Sequence, residues 1–165
     1  MSTSELVITI PDYIELPPIL DLWYRFSNTG PNSTKISEFY NNLANGKLTT
    51  TRCKSCNKMH YPPRIICHVC NSQEIEWTVV PKKGKLYAFT SLMLGVPYPL
   101  KNISPIIIGV VRFGDYPSDG VQLSGLIIGV DIKDLRVGDE MRWSILKILG
   151  PQGKIRYWYC FTKEP

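Results

Sequence analysis

The chain has few of the side chains that carry acid-base chemistry. It contains only two histidines in 165 residues, and both of them, His60 and His68, lie in one short cysteine-bearing segment. A Ser-His-Asp or Cys-His catalytic arrangement needs a histidine base beside its nucleophile. The two histidines are better explained as loop or surface residues of that segment, so we predict that the chain is not an enzyme by itself.

Long hydrophobic runs are also missing. The longest, PIIIGVV and LIIGV, fall far short of the ~20 apolar residues that a membrane-spanning helix needs. The first residues, MSTSELVITIPDY, show no charged segment followed by an apolar one of the secretory type. With 44% apolar and 20% charged residues, the composition is that of an ordinary globular protein of one large or two small domains. We therefore expect a cytoplasmic protein with no membrane contact.

Positive charge exceeds negative charge, but unevenly along the chain. The net charge of +5 hides a first stretch, residues 1–46, with two basic and five acidic side chains. Residues 47–83 carry seven basic side chains against two acidic ones. This excess is either a solvated surface or an anion-binding site, and the sequence alone does not separate the two.

Four of the five cysteines occur in the basic stretch RCKSCNKMHYPPRIICHVC, residues 52–70. They form two Cys-x-x-Cys pairs, which together can supply the four thiolates of a tetrahedral zinc site. The alternatives are two disulfides, which are uncommon in the cytosol, and a thioredoxin-type redox pair, which needs only one such motif. Four thiolates leave no position for water or substrate, so the metal is structural. The sequence thus predicts one zinc ion, bound by Cys53, Cys56, Cys67 and Cys70.

The residues around the cysteines support tight metal-binding turns. Asn57 and Asn71 follow the two pairs, at positions that usually require the left-handed backbone conformation tolerated by Asn and Gly. The fifth cysteine, Cys160, lies in the apolar run YWYCF and is predicted to be a small core residue.

Two helices are expected before the cysteines. PPILDLWYRFSNTG has prolines suited to a helix start and an Asn and a Gly suited to its end. Its aromatic and aliphatic residues leave almost no polar face, so it must be covered on nearly every side. STKISEFYNNLANG has the apolar spacing of an amphipathic helix, with Ser33 or Thr34 as its cap and Gly46 as its stop.

Strands dominate the rest of the chain. KLTTTR leads into the first cysteine pair and EIEWTVV follows the second. Five further strands, separated by Pro, Gly and Asp turns, fit a small closed barrel of the OB type better than an open sheet with exposed edges. The fold class is therefore mainly β with N-terminal helices, in which a rubredoxin-like zinc ribbon precedes a five-stranded OB-type barrel. The expected units are an N-terminal helical segment (1–46), the zinc ribbon (47–80) and the barrel (81–165).

Several specific motifs accompany this order of elements. They are Phe39-Tyr40-x-x-Leu43 before Gly46-Lys47-Leu48, Arg52-Cys53-x-x-Cys56, Pro62-Pro63-Arg64-x-x-Cys67-x-x-Cys70, Glu76-Trp77, Gly84-Lys85-Leu86-Tyr87-x-x-Thr90 and Val137-Gly138-Asp139. Over about residues 36–149 the chain closely resembles a zinc-ribbon plus OB-fold family first catalogued as a domain of unknown function and linked to acyl-CoA metabolism. It departs from the family pattern in carrying Asn57 and Asn71 where Gly is usual.

The resemblance implies a non-catalytic partner of thiolase-like enzymes that binds or bridges acyl-CoA. CoA needs an apolar groove for its pantetheine arm and Arg or Lys donors for its phosphates. We expect the ligand between the N-terminal helices, the ribbon and the near face of the barrel. The groove candidates are Trp23, Phe26, Phe39 and Tyr40, and the basic candidates are Arg52, Arg64, Lys82 and Lys83. Arg64 is the sharpest of these because two prolines fix the chain before it, although it can equally pack on Trp77 or cap a metal-binding turn.

A different function class remains open at this point. A basic zinc ribbon beside an OB barrel also suits single-stranded nucleic acid, whose bases stack on aromatic strand residues. The strand KIRYWYCFTK has the required mixture of aromatic and basic residues. Against this alternative, the isoelectric point of about 8.9 is below the strongly basic range of such domains.

Overall fold

A computed structural model of the protein describes residues 6–9, 35–96, 104–149 and 155–164. The first expected helix, in residues 17–30, lies outside this described part, and so do its groove candidates Trp23 and Phe26. No helix within the described ranges is long and apolar enough to cross a membrane.

The described elements are mostly strands. The α-helix is α1 (Ser37–Ala44), and a single 3-10 turn covers Ile132–Asp134. The strands are β1 (Leu6–Thr9), β2 (Thr49–Cys53), β3 (Met59–His60), β4 (Ile75–Val79), β5 (Lys83–Leu92), β6 (Ile106–Phe113), β7 (Val121–Ile127), β8 (Glu140–Leu149) and β9 (Ile155–Lys163).

Strands β5 to β9 form the predicted five-stranded closed barrel. The order is β8-β5-β6-β7-β9, and pairing of β8 with β9 closes the circle. All neighbours are antiparallel except β7 and β9, which are parallel through Leu126 and Ile127 against Cys160 and Phe161. In barrel numbering this is the order 1-2-3-5-4, the arrangement expected of an OB-type barrel.

The zinc ribbon is a separate three-stranded sheet. Strand β2 lies in its centre, antiparallel to β3 on one side and to β4 on the other. Thr51 pairs with His60 and with Trp77 across the two neighbours. The strands predicted on either side of the cysteines are therefore confirmed, and they bring the two cysteine pairs to the same end of the sheet.

The prediction of N-terminal helices is only partly confirmed, because α1 is the one α-helix of the described residues. It begins at Ser37 with Ile36 as its N-cap and no side-chain capping bond; the expected caps, Ser33 and Thr34, lie outside the described part. It ends as expected before Gly46, whose φ of +75° favours glycine. The N-terminal segment also contains a strand, β1, which pairs in parallel with β8 and which was not expected.

Helix, ribbon and barrel share one hydrophobic core. Phe39 and Leu43 of α1 lie in the same buried cluster as Leu48 and Met59 of the ribbon and Phe161 of the barrel. At the junction between ribbon and barrel, the indole Nε1 of Trp143 donates to the backbone oxygens of Val80 (3.2 Å) and Pro81 (3.0 Å). The ribbon is thus held against the barrel by buried contacts and a buried hydrogen bond.

Candidate metal centre and neighbouring cleft

The four predicted ligands converge at one end of the ribbon. Their Sγ atoms all lie within 4.8 Å of one another, with 3.5 Å between Cys53 and Cys70 and between Cys56 and Cys67. Tetrahedral zinc with Zn–S bonds of ~2.3 Å requires sulfur separations of about 3.8 Å, so the arrangement fits the ion. A disulfide needs ~2.05 Å, and none of the five cysteines forms one. The protein therefore has a site for one structural zinc ion.

Backbone hydrogen bonds shape the two metal-binding turns in the same way. Asn57 N–H donates to the Cys53 carbonyl (2.9 Å), and Asn71 N–H donates to the Cys67 carbonyl (3.0 Å). The φ angles of Asn57 and Asn71 are 61° and 58°, which confirms the left-handed conformation expected from the sequence. Asn therefore adopts at both positions a backbone conformation that otherwise favours Gly.

The prediction that both histidines are loop or surface residues is wrong for His60. His68 is exposed, but His60 lies on β3 and is only 1% exposed. Neither ring nitrogen of His60 has a hydrogen-bond partner among the described residues, and its ring meets the His68 ring edge-on at 4.8 Å. Burial, and next the nearby positive charges, lower the pKa of His60. Neither histidine belongs to the metal-binding group of the described residues, as expected.

The fifth cysteine is a core residue, as predicted. Cys160 is fully buried, and its Sγ donates a weak hydrogen bond to the Ser144 carbonyl at 3.6 Å. Burial raises the pKa of its thiol to about 12, so it remains protonated at neutral pH. A protonated, inaccessible thiol is not a competent nucleophile.

The basic candidates do not form one cluster, and Arg52 serves the junction between ribbon and barrel. Its Nη1 donates to Asn57 Oδ1 (2.9 Å) and to Asp119 Oδ1 (2.6 Å), which lies in the β6–β7 loop of the barrel. Lys58 reaches the same loop by donating to the Pro117 carbonyl. Arg52 is therefore paired within the protein.

Lys82 and Lys83 lie at the start of the barrel. The Lys82 Nζ is 3.5 Å from the ring centre of Trp143, a cation-π contact, and burial lowers the pKa of this lysine. The Lys83 Nζ lies 2.8 Å from Glu140 and 3.3 Å from Glu164. Lys82 and Lys83 therefore contact barrel residues, whereas Arg52 contacts the β6–β7 loop.

Arg64 lines a cleft of about 180 Å³ between the start of α1 and the ribbon. Its backbone N–H donates to Thr51 Oγ1 (2.9 Å), and its side chain has no ion-pair partner in the described part of the chain. Lys35, at the entry to α1, is a second cation of this cleft. The sequence analysis did not single out Lys35 or Trp77 as ligand contacts, although the Glu76-Trp77 motif marked the position of the latter. The full lining is Lys35, Ile36, Thr51, Pro63, Arg64, Ile65, Gln73, Ile75 and Trp77.

The aromatic groove candidates that the structure describes are packed inside the protein. Phe39 and Tyr40 are 4% and 6% exposed. The Phe39 ring meets the rings of Tyr40 (5.3 Å), Tyr61 (6.3 Å) and Trp158 (5.9 Å) edge-on. They join α1 to the ribbon and to β9, and their contact with a ligand remains a prediction.

Fold and metal site together define a zinc ribbon attached to an OB-type barrel. Residues 42–76 match the family model described as ChsH2, rubredoxin-like zinc ribbon domain. A DUF35 domain-containing scaffold protein of Methanothermobacter thermautotrophicus is 25% identical over 121 residues, covering 71% of this chain and 86% of the relative. Another of that description, from Methanocaldococcus jannaschii, is 27% identical over 117 residues, covering 69% and 79%.

Two solved structures share the fold. The Ltp2-ChsH2(DUF35) aldolase matches with a TM-score of 0.63 and 16% identity, over 78% of this chain and 93% of that one. A DUF35-family protein of unknown function from Sulfolobus solfataricus matches with a TM-score of 0.51 and 22% identity, over 85% and 90%. The resemblance drawn from the sequence motifs is confirmed by these matches.

Proposed function

We propose that the protein is a non-catalytic, cytoplasmic scaffold subunit that binds acyl-CoA and associates with a thiolase-like enzyme. The observation that carries this proposal is the similarity, over about 70% of the chain, to two proteins named as scaffold proteins. The Ltp2-ChsH2(DUF35) aldolase adds an example in which a protein of this fold occurs together with a second polypeptide.

The chemistry of the site agrees with a supporting role. Its four thiolates fill the coordination shell of zinc, so the metal stabilises the ribbon and offers no position for a substrate. Cys160 is buried and protonated, and His60 is buried with no hydrogen-bond partner in the described part of the chain. Under this proposal the partner enzyme supplies the catalytic groups.

The cleft beside α1 is the best-supported position for an acyl-CoA contact. Arg64 and Lys35 provide positive charge, and Trp77 provides an aromatic face beside it. A volume of about 180 Å³ is below the ~300–1,000 Å³ typical of complete small-molecule pockets. The cleft is therefore proposed as a subsite for the phosphate-bearing end of the molecule. A second cavity of about 220 Å³, where β1 faces β6 and β7, is lined by aliphatic residues and one proline and has no basic side chain in its lining.

Replacing Arg64 by alanine tests the acyl-CoA contact. Arg64→Ala is expected to weaken acetyl-CoA binding by about 1.5 to 3 kcal/mol, the typical contribution of a hydrogen bond to a charged group. Titration calorimetry on the full chain measures this change, with zinc content determined in parallel. Lys85→Ala is the control, because Lys85 is an exposed barrel cation that lines none of the cavities described here. Equal affinities of wild type and Arg64→Ala would remove Arg64 from the site, whereas no binding by the wild type would leave a purely bridging role.

Single-stranded nucleic acid is less well supported by the structure. The strand that favoured it, β9, directs Trp158 and Tyr159 against other aromatic rings: Phe39 meets Trp158, and Tyr61 meets Tyr159 at 6.0 Å. Tyr159 is 1% exposed and its hydroxyl donates to the Ser124 carbonyl (2.7 Å). Tyr159 is therefore committed to the core, and the partly buried Trp158 packs against the rings of α1. A salt-dependent mobility shift with single-stranded RNA or DNA, in the absence of any acetyl-CoA binding, would favour this alternative.

A further inference from the structure

Between the prolines of the ribbon and its last cysteine lies a group of exposed apolar side chains. Ile65 is 51% exposed, Ile66 is 46% and Val69 is 58%. Single exposed apolar residues are common on protein surfaces, but three within five residues of one small turn are a feature that calls for a covering surface. We call Ile65, Ile66 and Val69 the knuckle patch.

The backbone that carries the knuckle patch is held in place on both sides. Cys67 N–H donates to the Ser72 carbonyl (2.9 Å), and Val69 N–H donates to Cys67 Sγ (3.4 Å). Arg64 N–H donates to Thr51 Oγ1 in the central strand of the ribbon. A surface fixed in this way loses little conformational freedom when another protein covers it. Its apolar side chains are thus presented on a rigid support.

The charged residues that flank the knuckle patch along the chain have one sign. Arg64 directly precedes it, and its side chain has no ion-pair partner in the part of the chain that the structure describes. Lys58, six residues before Arg64, is also basic. No Asp or Glu occurs between Lys58 and Asn71. A complementary surface would therefore have an apolar pocket with acidic residues around it.

We propose that the knuckle patch is the docking surface of this protein for its partner enzyme subunit, through an apolar pocket rimmed by carboxylates. The inference rests on the proposed function, because the occupant is the thiolase-like subunit named there. It goes further by assigning the contact to the ribbon. Since Ile65 also lines the cleft that contains Arg64, the docked partner lies next to the proposed acyl-CoA subsite.

The matched variants are Val69→Asp and Val137→Asp. Val137 is 66% exposed and lies in the turn before β8, so both changes place a carboxylate on an exposed valine. Full-length baits are exposed to native-host extract, and the captured thiolase-like subunit is identified by mass spectrometry and then purified. We expect Val69→Asp to weaken its binding by about tenfold or more and Val137→Asp to leave it unchanged. Zinc content and melting temperature show that both variants are folded; if Val69→Asp loses zinc, Ile66→Ser replaces it.

Photocrosslinking locates the contact independently of any loss of binding. A photoreactive phenylalanine analogue is incorporated in place of Val69 in one bait and of Val137 in another. The inference is supported if the thiolase-like subunit is crosslinked from position 69 and not from position 137. Crosslinks from position 69 to the same chain or to a second copy would overturn it.

The remaining outcomes separate the inference from the proposed function. If the thiolase-like subunit binds Val69→Asp as tightly as wild type, the knuckle patch is not the docking surface, but the scaffold function stands. If wild type, Val137→Asp and the crosslinking baits all fail to capture such a subunit, the proposed function is wrong and the docking surface falls with it.

Discussion

At the scale of single residues, the four metal-binding cysteines differ in their exposure to solvent. Cys53 and Cys67 are buried, whereas Cys56 and Cys70 are exposed. Each buried cysteine is the first of its pair and starts a tight turn through its carbonyl oxygen. The inner ligands therefore connect the metal to the ribbon, and the outer ligands close the site from the solvent side.

Loss of an inner ligand is expected to remove the metal. Cys67→Ser should lose zinc and expose the ribbon to proteolysis, because three thiolates and a hydroxyl bind zinc more weakly and the binding free energy of structural zinc is folding free energy. Metal analysis and limited trypsin digestion measure both effects. Cys160→Ala is the control and should retain one zinc per chain. Stoichiometric zinc in Cys67→Ser, or none in the wild type, would contradict the assignment.

Residue-level prediction succeeds where the physical cause is local in sequence. The spacing of the cysteines fixes the metal site, and the turn that each pair must make dictates the positive φ of Asn57 and Asn71. The burial of His60 has a distant cause, because it depends on the pairing of β3 with β2 and on the His68 ring. Nothing in the short stretch KMHY distinguishes a buried histidine from an exposed one.

At the scale of elements, α1 has only eight residues and is too short to be stable in isolation. Its stability comes from the face that carries Phe39, Tyr40 and Leu43, all of them buried. This face packs against the ribbon and against Trp158 of the barrel. The helix therefore acts as a clamp between the two sheets.

Truncating the centre of this face should destabilise the whole protein. Leu43 is fully buried, so Leu43→Ala is expected to lower the free energy of unfolding by about 2 to 5 kcal/mol through the lost burial and the cavity left behind. Urea denaturation followed by fluorescence measures the change. The exposed Asn41, replaced by alanine, should have little effect. A cost below about 1 kcal/mol for Leu43→Ala would show that α1 is not integrated into the core.

Elements were predicted best where the sequence pattern was long. The barrel strands and α1 follow from alternation and from helical spacing over seven or more residues. Strand β1 was missed although LVIT is rich in β-branched residues, because four residues gain strand structure only through a distant partner, here β8. The ion pair of Arg52 could not be predicted from the sequence for the same reason, since Asp119 lies 67 residues further along the chain.

At the scale of the whole molecule, ion pairs surround the place where the barrel closes. We call this place, where the start of β8 meets the end of β9, the seam. Lys83 of β5 contacts Glu140 of β8 and Glu164 after β9, and Glu164 also pairs with Arg142. Lys163 contacts Asp139 at 2.8 Å. These contacts lower the pKa values of Asp139, Glu140 and Glu164. The last residues of the described chain, Lys163 and Glu164, are thereby held against the start of β8.

Acid is expected to weaken this seam. Asp139 accepts hydrogen bonds from Lys163 Nζ and from Arg136 N–H, both at 2.8 Å, and they hold its pKa below the usual value. Because the unfolded chain takes up the proton first, at about pH 3.9, the stabilisation is complete above that value and is lost as the pH falls through the lower folded pKa.

The variant Asp139→Asn should therefore melt at a lower temperature than wild type at pH 7, and the two should converge as the pH is lowered below about 4. Thermal melts across this pH range measure the difference. Asp134→Asn, in the adjoining 3-10 turn, serves as the control. A difference in melting temperature that is independent of pH would show that the Asp139 carboxylate acts through its shape and not through its charge.

Because strand β1 covers part of one edge of β8, removing it is expected to change how the protein behaves in solution. Along β8, strand β5 pairs with residues 140–142, and β1 pairs on the same side with residues 146–149. A truncated protein that begins at α1 would leave the backbone groups of Leu146 to Leu149 as an open strand edge. Such edges recruit strands from other molecules, so the short N-terminal strand protects the barrel from self-association.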